Sequence, residues 1–138
     1  MIEKLPRLTQ VSRTNRILVA DDSQTITTLL TQSLEMNGYE VVAAKHGIEA
    51  YEMGKSGDFD LVILDHLMPG LSGLEVIRKW HEDGVPQQVI MLSGVDDDRT
   101  VVESLDLGAV DFVRKPFRLP ELMARIRQRL KATETPET

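Results

Sequence analysis

An α/β fold with a central parallel sheet is what this 138-residue chain predicts. Three observations carry the prediction. Short apolar runs alternate with stretches at helical spacing, and the alternation repeats five times, the pattern of a parallel sheet covered by helices. The runs end in side chains able to do chemistry: Asp21 and Asp22 after Ile17-Leu18-Val19-Ala20, Asp65 after Leu61-Val62-Ile63-Leu64, then Ser93 and Lys115 after two later runs. Crossover handedness leaves few topologies, and five strands point to a flavodoxin-like, doubly wound sheet of order 2-1-3-4-5, helices on both faces.

The elements follow in order. Residues 1–15 carry Pro6 and no clean period, and read as an N-terminal arm. The ordered domain spans 16–131, opening with a strand over Ile17–Ala20. Ser23 then caps a helix whose apolar face is Ile26, Leu29, Leu30 and Leu34, stopped by Asn37-Gly38. A second strand, Glu40–Ala44, precedes a short helix from Gly47 to Lys55. The third strand is Asp60–Leu64. Ser72 caps a helix through Leu74, Ile77 and Trp80, which ends near Asp83-Gly84. Gln88–Leu92 is the fourth strand. Asp96 is read as the cap of a helix carrying Val101, Val102 and Leu105, closed by Gly108. Asp111–Arg114 is the fifth strand, and Leu119, Leu122, Met123, Ile126 and Leu130 form the stripe of a final helix. Residues 132–138 are polar and read as a disordered tail or the start of a linker.

Composition narrows the classes of function. Hydrophobic residues make up 41% and charged residues 28%, ordinary for one globular domain. The net charge of -6 argues against direct nucleic-acid binding. The chain has no cysteine, which excludes disulfides, thiolate metal sites and cysteine nucleophiles and fits a cytoplasmic protein. No run approaches the roughly 18 apolar residues of a membrane span. Met1 to Arg16 has no continuous apolar core and is not read as a secretory signal.

The predicted switch point lies between the first and third strands, where open α/β sheets bind ligands. Asp21, Asp22 and Asp65 fall there together. Like charges packed together raise one another's pKa, and a hard divalent cation such as Mg2+, which takes oxygen ligands, resolves the conflict. The bland reading of Asp21-Asp22 is a helix opening favoured by its dipole. Asp65 is the candidate nucleophile, since an aspartate can form an acyl phosphate. Lys115 would offset charge on phosphoryl oxygens, and Ser93 can donate a hydrogen bond to one of them. An X-Pro bond after a strand can be cis, which would aim Lys115 through Pro116.

Four stretches, in this order and at these separations, are specific together: Val19-Ala20-Asp21-Asp22-Ser23, Leu64-Asp65-His66-Leu67-Met68-Pro69-Gly70-Leu71-Ser72-Gly73, Ile90-Met91-Leu92-Ser93-Gly94, and Leu107-Gly108-Ala109-Val110-Asp111-Phe112-Val113-Arg114-Lys115-Pro116-Phe117. From Arg16 to about Lys131 the chain resembles the receiver domains of two-component response regulators. The resemblance implies that Asp65 takes a phosphoryl group from a sensor histidine kinase or phosphotransfer protein. It implies magnesium held by Asp21, Asp22, Asp65 and the Leu67 carbonyl. Ser93 matches the hydroxyl switch, Phe112 the aromatic switch, and Lys115 the charge-neutralising lysine, followed in the family by a cis peptide. By itself, Phe112 reads as an ordinary buried strand aromatic. The implied output is a change at the face of the fourth helix, fifth strand and fifth helix, read by a downstream partner, an output domain or a second copy.

Leu67 and Val95 flank the route of hydrolytic water in the family. Both are apolar here, so slow autodephosphorylation is expected. His66 reads as an exposed loop histidine, His46 and His81 as surface or helix-end residues, and Trp80 as packing. Asp96-Asp97-Asp98 reads as a solvated helix start. Arg125, Arg127, Arg129 and Lys131 read as an exposed basic face that meets protein. An aspartyl-phosphate phosphatase of the haloacid-dehalogenase type would want an acid at position 67. A flavodoxin-like nucleotide carrier would want a glycine- or hydroxyl-rich loop after the first strand. A receiver-like interaction module that works without phosphorylation is the other alternative, and the complete set of acids, lysine and hydroxyl argues against it.

Overall fold

The computed structural model describes residues 14–94 and 98–133. Most of the predicted arm, the tail from residue 134, and Val95, Asp96 and Asp97 lie outside the described residues. Five strands, β1 (Arg16–Ala20), β2 (Glu40–Ala44), β3 (Leu61–Asp65), β4 (Val89–Ser93) and β5 (Asp111–Arg114), alternate with five helices. The helices are α1 (Gln24–Met36), α2 (Gly47–Ser56), α3 (Gly73–Glu82), α4 (Asp98–Asp106) and α5 (Leu119–Thr133). The sheet runs β2-β1-β3-β4-β5 with every pair parallel. It is the doubly wound, flavodoxin-like order that the alternation predicts, with the switch point between β1 and β3.

Strand periodicity divides the core in two. Ile17, Val19, Leu61, Ile63, Ile90, Leu92 and Val113 point to one face and pack with Leu30 and Leu34 of α1 and with Leu122, Met123, Ile126 and Leu130 of α5. Leu18, Ala20, Val62, Leu64, Val89 and Met91 point to the other, against Ala50 of α2 and Val76, Ile77 and Trp80 of α3. β3 and β4 are buried along their whole length. Each fully buried Leu, Ile or Val contributes about 1.5–3 kcal/mol, so these two strands hold the centre of the molecule rigidly under the site.

Helix ends fall where the backbone donors and acceptors can be satisfied. Ser23 Oγ accepts the Ile26 N–H, and Ser72 forms a reciprocal capping box with Glu75. α1 and α3 stop by one device: Gly38 and Gly84 take positive φ, and the N–H of the next residue bonds back to Leu34 O and Trp80 O. α2 is thin where it meets α3. A Cβ on Gly54 would lie 2.2 Å from the Trp80 ring, whose indole N–H donates to Tyr51 O at 3.1 Å.

Three expectations need correction. β3 and β4 each begin and end one residue later than predicted, because Asp60 and Gln88 serve as side-chain and backbone partners at the strand entrance while Asp65 pairs with Leu92 in the last rung. Leu29 is not part of the core. It is 40% exposed, and Thr27 takes the inward place. In α4 most of the predicted apolar face is turned outward: Val102 and Leu105 are exposed and Val101 is half-buried, while Thr100 and Ser104 are buried. Small hydroxyl residues let α4 lie close to its neighbours, and Ser104 satisfies its own hydroxyl on Val101 O at 2.9 Å.

Candidate phosphoryl-transfer and metal site

The site lies at the carboxyl ends of β1, β3 and β5. Asp21 follows β1 directly and is 2% exposed. Its backbone N–H donates to Ala44 O, its Oδ1 accepts the Ser23 N–H at 2.9 Å, and its carbonyl accepts the Thr27 hydroxyl at 3.2 Å. Those contacts leave Oδ2 for Lys115, whose Nζ donates to it at 2.9 Å. Asp65 closes β3, is 4% exposed, and lies 3.4 Å from the same ammonium. Asp22 is exposed at the rim. One carboxylate oxygen from each of Asp21, Asp22 and Asp65 falls within 4.8 Å of the others.

The electrostatics follow from burial. Desolvation, then the charge of Asp21, push the Asp65 carboxyl up to about 6 against the opposing pull of Lys115. Burial draws the Lys115 ammonium down, but the hydrogen bond and charge of Asp21, joined by Asp65, outweigh it and hold the lysine above its ordinary value. Three carboxylates against one ammonium leave a net negative, all-oxygen pocket. That donor set fits a hard divalent cation such as Mg2+.

Ser93 is fully buried at the end of β4, and its carbonyl accepts the Lys115 N–H at 2.8 Å. The Lys115–Pro116 peptide is cis. Phe112 is half-buried on β5, opposite Met91, with the Arg114 guanidinium 5.9 Å above its ring. Beside Lys115, a groove of about 510 Å³ is lined by Ile26, Leu29, Pro116, Phe117 and Leu119, which accounts for the exposed Leu29.

The loop after β3 holds what sequence reasoning missed. The Leu67 side chain is 59% exposed, and its N–H donates to Asp65 Oδ1 at 3.4 Å. His66 is half-buried, not an exposed loop residue, and its Nδ1 accepts the Leu74 N–H at 3.3 Å. Gly73 opens α3 against the Asp65–His66 peptide, where a Cβ would lie 2.4 Å from Asp65 O. Only the adjacency of His66 to Asp65 marked it in the sequence. His46 caps α2 and His81 lies exposed in the last turn of α3. The basic face of α5 is partly committed within the chain: Arg125 pairs with Asp111 and Glu121, and Arg129 donates to Val110 O.

Residues 17–127 match the response regulator receiver domain family. The chain belongs to that family. This receiver is 43% identical over 119 residues to the response regulator MprA of Mycobacterium ulcerans, covering 86% of the chain and 51% of that protein. It is 40% identical over 119 residues to the uncharacterized transcriptional regulatory protein YkoG of Bacillus subtilis, covering 86% and 52%. The chain thus spans about half the length of these curated relatives. Among solved structures, the Thermotoga maritima response regulator TrrA, in complex with Mg2+–BeF, superposes with a TM-score of 0.75 at 37% identity, covering 84% of this chain and 99% of that one. A CheY-like receiver domain protein from Methanospirillum hungatei gives 0.81 at 30% identity, covering 86% and 95%. No helix among the described residues is long and apolar enough to cross a membrane.

Proposed function

We propose that this two-component receiver accepts a phosphoryl group on Asp65 from a sensor histidine kinase or phosphotransfer protein. It then resets its α4–β5–α5 face for a downstream protein partner or an output domain. The observation that carries the reading is the Lys115 ammonium, 2.9 Å from Asp21 and 3.4 Å from Asp65 in a buried cleft of three acids. No nucleic-acid contact by this domain is part of the reading, and its place is the cytoplasm.

In the transfer, an Asp65 carboxylate oxygen forms a bond to phosphorus as the phosphorus–nitrogen bond of the donor histidine breaks, and the electron pair stays on the imidazole. Asp65 must be ionised to attack, and a pKa of about 6 leaves it so at pH 7. Lys115 stays beside the acceptor and offsets charge on the transferred oxygens. Asp21, Asp22, Asp65 and the Leu67 carbonyl would hold magnesium, which when bound supplies charge neutralisation to the phosphoryl oxygens. The new group adds charge and acceptor oxygens. Ser93 then donates its hydroxyl to one of them, and Phe112 swings inward from its half-buried position. A homodimer through the same face would draw on Arg127 and Lys131, since Arg125 already pairs within the chain. The receiver so proposed spans residues 16–131.

Intact-protein mass after incubation with acetyl phosphate and magnesium tests the reading. A gain of one phosphoryl group that needs magnesium and is lost in Asp65→Asn is expected. An unlabelled wild type, beside a control receiver that labels, would move the weight to an interaction module independent of phosphorylation. The apolar Leu67 should make autodephosphorylation slow, so Leu67→Asn, which can orient a water, should shorten the phosphoryl lifetime. An unchanged decay rate would refute that role.

A further inference from the structure

The first turn of an α-helix leaves backbone N–H groups without partners inside the helix. In α3 two of them are taken by one residue outside it. Gly73 N–H donates to the His66 carbonyl at 2.8 Å, and Leu74 N–H donates to His66 Nδ1 at 3.3 Å. Glu75 N–H goes to Ser72 Oγ at 3.1 Å. His66 is therefore a second cap on α3, supplied from the end of β3 and acting beside the capping box. Since Nδ1 accepts, the ring proton lies on Nε2.

The approach is as close as the chain allows. At Gly73 a Cβ would meet Asp65 O at 2.4 Å and His66 Cα at 2.9 Å, so only a glycine lets the helix seat against the strand end. On the far side of His66, the Leu67 N–H reaches back to Asp65 Oδ1 at 3.4 Å. The opposite edge of the loop is held as well: Gly47 N–H donates to Pro69 O at 3.1 Å. Between these anchors lie the two peptides that join Asp65 to Leu67 through His66.

We propose that His66 is a positioning residue for the phosphoryl acceptor: its ring and carbonyl tie the start of α3 to the end of β3 and, through the Leu67 amide, aim the Asp65 carboxylate. The assignment rests on the reading of Asp65 as the acceptor. It asks nothing of His66 as an acid, a base or a phosphoryl donor. Its chemistry is that of a short acceptor arm, which asparagine reproduces with Oδ1 near the place of Nδ1, and which leucine, of similar bulk, lacks.

The test compares wild type, His66→Asn and His66→Leu in two assays. One is the rate of mass gain with acetyl phosphate at saturating magnesium. The other is amide hydrogen exchange at Leu74 and Leu67. Circular dichroism melts confirm that all three fold. His66→Leu should label about tenfold more slowly, the scale of a small misplacement of a reacting group, and lose protection at both amides. His66→Asn should stay within about twofold on both measures, since its amide oxygen still accepts. Labelling and exchange in His66→Leu equal to wild type would overturn the proposal, as would a slow His66→Asn with Leu74 still protected. If the wild type itself fails to label, the acceptor reading fails separately, and exchange still decides the positioning. Leu67 protection that follows Leu74 across the three proteins supports it; Leu67 protection that ignores Leu74 overturns it.

Discussion

A divalent cation in the cleft would compete with Lys115 for the same oxygens. The ammonium occupies Asp21 Oδ2 at 2.9 Å and stands 3.4 Å from Asp65. Removing it in Lys115→Met should tighten Mg2+ binding about tenfold, since a charge a few ångströms away is worth more than 1 kcal/mol even when partly screened. The same change should slow labelling, because the transferred oxygens lose their counter-charge. Titration calorimetry and mass spectrometry read the two effects. Asp65 gives the pH dependence. Its folded pKa of about 6 lies above the ordinary aspartate value of 3.8, so its ionisation opposes folding. The penalty is absent below pH 4, grows between 4 and 6, and is full above 6. Without magnesium, Asp65→Asn should therefore match wild type in denaturant melts near pH 4 and exceed it at pH 7 by on the order of 3 kcal/mol. A bound Mg2+ would take the ionised form, so its affinity should fall as pH drops below about 6.

At the scale of elements, α3 and α4 contrast. α3 was legible because its signals agree: Ser72 as a cap, then Leu74, Ile77 and Trp80 at helical spacing, those three buried; the structure adds Glu75, which completes a capping box with Ser72. Ser72→Ala should cost about 1 kcal/mol, read as a lower denaturation midpoint at unchanged slope. α4 misled because apolar periodicity marks a stripe and not the direction in which it points. Val102 and Leu105 are exposed, and Ser104 is the residue with no exposure. Leu105→Ser should stay within about 0.5 kcal/mol of wild type, as surface changes do. Ser104→Leu should cost roughly 1–3 kcal/mol by overpacking. Thermal or urea melts of the pair check which side of α4 faces inward. The outward apolar stripe also places α4 suitably for the partner-facing role proposed for the α4–β5–α5 face.

For the whole molecule, a rigid sheet carries a cleft in which three carboxylates face one ammonium, a balance that a bound cation would improve. Mg2+ at about 100 times its dissociation constant should add roughly 2.7 kcal/mol to unfolding. The gain should disappear in the double variant Asp21→Asn with Asp22→Asn, as scanning calorimetry can show. The sequence by itself determined the alternation of elements, the five-stranded order, and the candidates Asp21, Asp22, Asp65 and Lys115. Periodicity, helix caps and the side chains that end apolar runs are local, and a parallel sheet gathers all strand ends on one edge. Tertiary structure alone decided which side of α4 is buried, that Leu29 faces a groove, and that His66 caps a helix eight residues further on. Those outcomes depend on which surfaces of distant segments meet. A backbone donor left unpaired at a helix start takes whichever acceptor the fold brings to it, and no spacing in the chain announces the encounter.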